Sequence, residues 1–350
     1  MSTPIPKTMQ ALQLSAYDIE LEKALQNLQL KTVDVPKPVK RDDVLVKLDA
    51  APCNPSDLLL LQGMYGVTKS LPTIPGWEGT GVVVGHGGGV RARWLMGKRV
   101  ACAGQENQGG TWAEYFIADA FTCIPLAEDI PTEQGASLIV NPFTAVGLFE
   151  RAIMGKHQAA VQTAGASQVG RMLVSIAANN KFPLISIVRR REQLDLVKSM
   201  GGHIVLNSEE DNFKEALTNA CADLNATIAF DAVAGSMTGT LINAMPRGSE
   251  VVVYGALSYE PCQAIDPIEV VFSDKRISGF YLGNMFRRMS FLKKAQVIRH
   301  VKHLVSTEII ETTISHRAPL GEAVEAIKGY SKRMSDGKVL IMPSLGVSGF

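Results

Sequence analysis

Between residues 44 and 117 the apolar positions come in short bursts. VLVKLDA (44–50), GTGVVVG (79–85), KRVACAG (98–104) and TWAEYFI (111–117) are β-rich runs punctuated by glycine and proline, with no long helical period between them. The pattern predicts an antiparallel, barrel-like domain. Near Ile130 the rhythm changes. Residues 135–153 carry apolar positions at helical spacing, and after them continuous apolar runs alternate with amphipathic stretches. Residues 159–165, 183–188, 203–207, 226–235 and 249–257 read as strands, and residues 168–180, 192–202 and 213–221 as helices between them. Strands apolar on both faces, each followed by a helix, predict a parallel, doubly wound sheet. From about Asp274 the alternation fades into a helix (291–305), a second helix (321–337) and a last strand (338–343). The reading is an α/β chain of two domains, one built from residues 1–133 and 275–350, the other from 134–274.

Composition narrows the function classes. A length of 350 residues suits two domains. Lys and Arg number 35 against 34 Asp and Glu, which argues against a nucleic-acid partner. The five cysteines are scattered and form no CxxC pair, so neither a disulfide framework nor a four-cysteine zinc lobe is expected. The six histidines show no ligand spacing, and those of helix 291–305 sit among lysines and arginines as a solvated basic face. No uncharged apolar run reaches the roughly 18 residues of a membrane span, and the N-terminus has no apolar signal core. The expectation is a protein of the reducing cytoplasm with no membrane partner. No GxSxG elbow occurs, and Gly87-Gly88-Gly89, with no GK[ST] after it, reads as a hairpin turn.

The chemistry concentrates where the first run of the second domain ends. Gly165-Ala166-Ser167-Gln168-Val169-Gly170 is a GxGxxG with serine at the middle position, after a strand and before a helix. Gly165 allows the tight turn, a small residue at 167 admits a pyrophosphate, and Gly170 allows close helix–strand packing. The helix N-terminus offers free N–H groups to the phosphates. At the end of the next strand a site for NAD carries an acidic residue, whereas this chain has Arg189-Arg190-Arg191. Guanidinium groups suit a 2′-phosphate, so the cofactor expected is NADPH. Tyr254, Gly255 and Ala256 end a further strand, where ligands sit in open sheets.

PGWEGTGVVVG (75–85), GKRVAC (97–102), GTWAEY (110–115), NPFTA (141–145), AGASQVG (164–170), VVVYGALS (251–258) and DGKVLIMP (336–343), in this order, resemble the medium-chain dehydrogenase/reductase superfamily over nearly the whole chain. The resemblance implies a GroES-like catalytic domain made from both chain ends and a Rossmann domain between. The zinc-dependent branch has a Cys near position 54 and a His at 77. Here Asn54 and Trp77 stand there, neither of them a plausible zinc ligand, so no metal is expected. What remains is similar to the zinc-independent branch, quinone oxidoreductases and 2-enoyl thioester reductases. That likeness implies hydride transfer to a quinone or another α,β-unsaturated carbonyl, with an enoyl thioester as the alternative and a non-catalytic NADPH-binding protein as an outside one. It implies an acid or orienting role for Tyr65, which matches a Gln-Gly-x-Tyr-Gly run of mitochondrial-type enoyl reductases. It makes Asn54 a candidate donor to the substrate or the nicotinamide ribose. It also implies cofactor contacts for Thr144, for Phe280, Tyr281 and Leu282, and for Lys338, and a homodimer.

Overall fold

The computed structural model describes residues 4–104 and 109–345. In chain order its strands are β1 (Thr8–Leu14), β2 (Leu28–Asp34), β3 (Asp43–Pro52), β4 (Glu78–His86), β5 (Arg99–Ala103), β6 (Tyr115–Asp119), β7 (Ile124–Pro125), β8 (Ala159–Gln162), β9 (Leu184–Val188), β10 (Ile204–Asn207), β11 (Ala226–Asp231), β12 (Glu250–Val253), β13 (Arg276–Gly279), β14 (Ile314–Ala318) and β15 (Lys338–Ile341). The chain divides into two units, residues 1–140 with 312–350, and residues 141–311.

The first unit is organised by β3. One edge pairs antiparallel with β4, and the other carries β6 along Asp43–Lys47 and β15 at Ala51 and Pro52. Two register shifts in the β3–β4 ladder bend the sheet. Val44, Val46 and Leu48 alternate into a core with Val83, Val100, Cys102 and Phe116. Ala51 and Cys53 join a second core with Leu58, Leu61, Trp112, Ile327 and Val339. The C-terminal strands β14 and β15 are parallel, so the sheet is mixed. Glycines 87–89 begin the connection of the antiparallel β4–β5 pair, but as no tight turn: they lead into the helix Val90–Leu95. Residues 135–153, read as one helix, are two, Thr132–Ala136 and Val140–Met154.

The second unit is a six-stranded, wholly parallel sheet of order β10-β9-β8-β11-β12-β13. It is the doubly wound order whose switch point lies between the first and fourth strands, here β8 and β11. The boundaries differ from those expected. Residues 134–140 belong to the first unit. Residues 275–311 belong to the second, because β13 completes its sheet beside β12 and the helix Phe291–Ser306 buries Val297, Val301 and Leu304. No described helix is long and apolar enough to cross a membrane.

Candidate functional site

In the second unit the carboxyl ends of β8 and β11 are tied together by Asp231. Its Oδ1 accepts from Thr163 Oγ1 at 3.0 Å and from the N–H groups of Val233 and Ala234, and its Oδ2 accepts from Thr238 Oγ1 at 2.7 Å. The loops they hold turn through Ala164 and Ala234, both in the left-handed region at φ +50° and +63°. The glycine loop follows. Ser167 caps the helix Gln168–Asn179 by accepting from Gly170 N at 3.1 Å. A Cβ at Gly170 would lie 2.5 Å from the Ala164 carbonyl oxygen, so the helix enters closer to the strand than any side chain permits. Gln162 Nε2 donates to Gly170 O and Ser186 Oγ, bracing this approach from beneath.

Gly165 N donates to Ile187 O at 2.9 Å, which sets the glycine loop against the end of β9, next to Arg189, Arg190 and Arg191. Gln193 Oε1 accepts from the N–H groups of Arg189 and Arg190 and fixes this turn. Arg189 and Arg191 are exposed and Arg190 half-buried. Ala166, Gln168 and Val169 complete the loop. A glycine cradle at a helix N-terminus beside a guanidinium-rich turn fits a phosphorylated dinucleotide.

Elsewhere in this unit Tyr254, Gly255 and Ala256 leave β12 along β11: Tyr254 N donates to Asp231 O, and a Cβ on Gly255 would meet Ala232 O at 2.7 Å. Phe280 N donates to Val253 O. The helix bearing Thr144 packs on the segment after β13. Phe143 lies 5.2 Å from Phe286, and Gly147 leaves room only for Phe280 and Met285. The helix that carries Thr144 thus meets Phe280, which Tyr281 and Leu282 follow in the chain.

In the first unit Asn54 and Lys338 meet in a buried charged cluster that sequence reasoning saw only in part, while the half-buried Tyr65 packs on Trp77, next in the chain to Glu78 of that cluster. Lys338, 1% exposed at the start of β15, donates to Asn54 Oδ1 and to Cys53 O. Asn54 Nδ2 donates to Glu78 Oε1 at 3.0 Å. Glu78 Oε2 accepts from the backbone N–H groups of Ile139 and Val140, where the helix Val140–Met154 begins. The Asn54 carboxamide is therefore a strut between an ammonium and a carboxylate. Asp57, fully buried, accepts from Asn54 N at 2.7 Å, while its Oδ1 has no hydrogen-bond partner among the described residues. Lys69, 6% exposed, sits 4.6 Å above the Trp77 ring, and Tyr65 packs on the same indole at 5.2 Å. Two carboxylates and two ammoniums balance in a dry volume.

Burial dominates the protonation of all four. It raises Asp57 to about 7, held back by the hydrogen bond from Asn54 and the charge of Lys338. It raises Glu78, which the Val140 N–H opposes, and lowers Lys338. It pushes Lys69 down to about 8 against the pull of Asp57. A carboxyl with a higher pKa folded than unfolded holds its proton more tightly when folded. Its stabilising share is complete below about pH 4, the unfolded value, and is lost as pH rises through about 7. Asp57→Asn keeps an acceptor for Asn54 N. Its unfolding free energy in urea should fall less than that of the parent between pH 5 and pH 8; an equal fall rejects the assignment.

This cluster does not suit a zinc ion. At the two positions named above stand a carboxamide already engaged on both sides and an indole, and a buried ammonium touches the carboxamide oxygen. Among the described residues no group of three or more His, Cys, Asp or Glu is arranged to hold a metal.

Residues 40–128 match the family model of the alcohol dehydrogenase GroES-like domain, and residues 169–297 match that of the zinc-binding dehydrogenase. The mitochondrial enoyl-[acyl-carrier-protein] reductase of Rattus norvegicus is 32% identical over 268 residues, covering 73% of this chain and 68% of that protein. The Mus musculus protein of the same description is 29% identical over 330 residues, 91% and 84% of the two chains. The crystal structure of a putative NADPH:quinone reductase from Mesorhizobium loti superposes with a TM-score of 0.91 at 32% identity, covering 97% of this chain and all of that one. The chain belongs to the medium-chain dehydrogenase/reductase superfamily. As a member it is an oxidoreductase, with a GroES-like and a Rossmann-like unit. The superfamily model named for zinc covers 169–297 and so touches none of Asn54, Trp77, Glu78 and Lys338.

Proposed function

We propose that this chain is an NADPH-dependent reductase of quinones or other α,β-unsaturated carbonyls that works without a metal. The observation that carries the reading is that of the two positions a zinc-dependent relative uses for its ion, 54 holds an asparagine locked between Lys338 and Glu78 and 77 holds a tryptophan. A conjugated acceptor is reduced by hydride addition and protonation and needs no Lewis acid, whereas alcohol oxidation leans on one. NADPH, named for the Mesorhizobium loti neighbour, supplies the hydride when bound. The glycine loop and Arg189–Arg191 hold its phosphates. The Tyr65 phenol donates a hydrogen bond to the substrate oxygen that gains charge. Lys338 and Glu78 hold Asn54 still, which makes Asn54 and Lys338 positioning residues.

Enoyl thioester reduction is the second reading, favoured by the description of the Mus musculus and Rattus norvegicus relatives. Steady-state rates with a naphthoquinone, a simple enone and crotonyl thioester, each with NADPH and NADH, test both. The quinone should give the highest kcat/KM with NADPH, and a thioester preference transfers the assignment to the second reading. Tyr65→Phe should lower kcat about 100- to 1000-fold with cofactor affinity unchanged.

The same reading includes a homodimer through the second unit. Its sheet ends in β13, where Ile277 is exposed, beside the helix Pro267–Phe272, which buries no residue and exposes Val271 and Phe272. An open edge with apolar side chains is a pairing surface. Val271→Glu with Ile277→Glu should elute as a monomer in size-exclusion with light scattering, and an unchanged mass rejects this edge.

A further inference from the structure

Residues 275–307 hold eight Lys or Arg and no Asp or Glu. The other 317 residues hold 27 Lys and Arg against 34 Asp and Glu, so a chain of net charge +1 divides into a tract of +8 and a remainder of −7; of the eight, Lys275 is buried and paired with Glu269 and adds nothing to the surface. Inside this tract two neighbouring apolar side chains stand in water, Phe291 at 73% and Leu292 at 75% exposed. They open the helix Phe291–Ser306, whose first turn is capped by Ser290. At 100° per residue, Leu292, Arg299 and His303 fall on the face opposite the buried Val297, Val301 and Leu304. Just before them the helix Leu282–Arg288 ends in exposed Arg287 and Arg288. Arg287 lies over the Tyr281 ring, and Lys293 is paired with Glu150 at 2.9 Å. Arg288 and Arg299 are exposed, Arg288 three residues before Phe291 in the chain and Arg299 two turns after Leu292 on the same helix face.

We infer that this basic, apolar-tipped surface docks the protein on an anionic phospholipid bilayer. Cations flanking two protruding apolar side chains match the charge of anionic headgroups and the acyl boundary beneath them. Charge complementarity singles out a polyanionic surface, and the paired Phe291 and Leu292 single out one with an apolar layer under the charge. This is a peripheral contact and involves no spanning segment. Its link to catalysis rests on the quinone reading: a quinone with an isoprenoid tail resides in the bilayer and reaches the enzyme from there.

The full chain is sedimented with vesicles of phosphatidylcholine alone and of equal parts phosphatidylcholine and phosphatidylglycerol, at low and high salt. Binding to the anionic vesicles only, weakened by salt, is the expected result. Arg288→Glu with Arg299→Glu should weaken it by more than about tenfold, from roughly fivefold per lost cation. Phe291→Ser with Leu292→Ser should weaken it comparably. Both variants should keep the parent's circular dichroism and its rate with a water-soluble quinone. No sedimentation with anionic vesicles overturns the proposal. Full binding by the Phe291→Ser, Leu292→Ser variant reduces the surface to a polyanion site and overturns it too. So does a change of oligomeric mass in either variant, which assigns the patch to a second copy of the chain. Absence of quinone reduction in solution would instead sink the functional reading and leave vesicle binding standing.

Discussion

Arg189→Ser with Arg191→Ser is expected to weaken NADPH binding by about two orders of magnitude and to leave NADH binding nearly unchanged. Each guanidinium that hydrogen-bonds a phosphate contributes roughly 1.5–3 kcal/mol, about 10- to 100-fold in affinity. The magnitude follows from where the turn sits. Gly165 N is bonded to Ile187 O, so the glycine loop and the turn that carries the arginines are anchored on the same strand end. Arg191 opens the helix Arg191–Ser199, and the positive end of its dipole adds to the field at the 2′-phosphate. Arg190 is left in place because its half-buried position ties it to the turn itself. Fluorescence titration of each cofactor at one fixed ionic strength gives both dissociation constants. Equal weakening of NADPH and NADH would mean that the arginines act on the fold of the turn and do not read the 2′-phosphate.

Strands that are apolar on both faces were plain from their letters. Val161, Ile185, Ile187, Ala229 and Val251 lie in runs no amphipathic helix would tolerate, and all are buried. The glycine motif was legible for the same reason, since Gly170 admits no Cβ. Five strands escaped, among them the two-residue β7 and the mostly exposed β14. β1 and β2 interleave polar residues because they pair mainly with each other, and β13 is an edge strand whose RISG has no apolar period. In the site, Tyr65, Asn54 and Lys338 were named singly, while Asp57 and Lys69 were passed over. Charged residues in loops and short helices normally mean solvent, and only the three-dimensional packing turns these two inward. One signal was present. Lys338 opens KVLIM, and a cation at the head of a fully buried strand needs an acceptor waiting for it. Asp231 gave a weaker one, ending an apolar strand at the carboxyl edge where the loops must be held.

Lys338→Met tests the buried relay most severely. The ammonium is enclosed, donates to Asn54 Oδ1 and Cys53 O, and offsets the charges of Glu78 and Asp57. Methionine matches the stem of the side chain and removes only the charged head, so packing changes little. What is lost is the donor to two buried oxygens and the cation that the two carboxylates feel. Breaking one partner out of a buried ion cluster costs about 3–5 kcal/mol, because the remaining charge stays in the dry interior. The sign of its pH dependence follows from the carboxyls. Without Lys338 both folded pKa values rise further, so the variant should recover stability as pH falls from 8 to 5, where Asp57 takes up its proton. Urea unfolding at both pH values measures this directly. A deficit below about 1 kcal/mol at pH 8, the scale of an exposed ion pair, would show that water reaches the cluster, and the strut that holds Asn54 would lose its electrostatic basis.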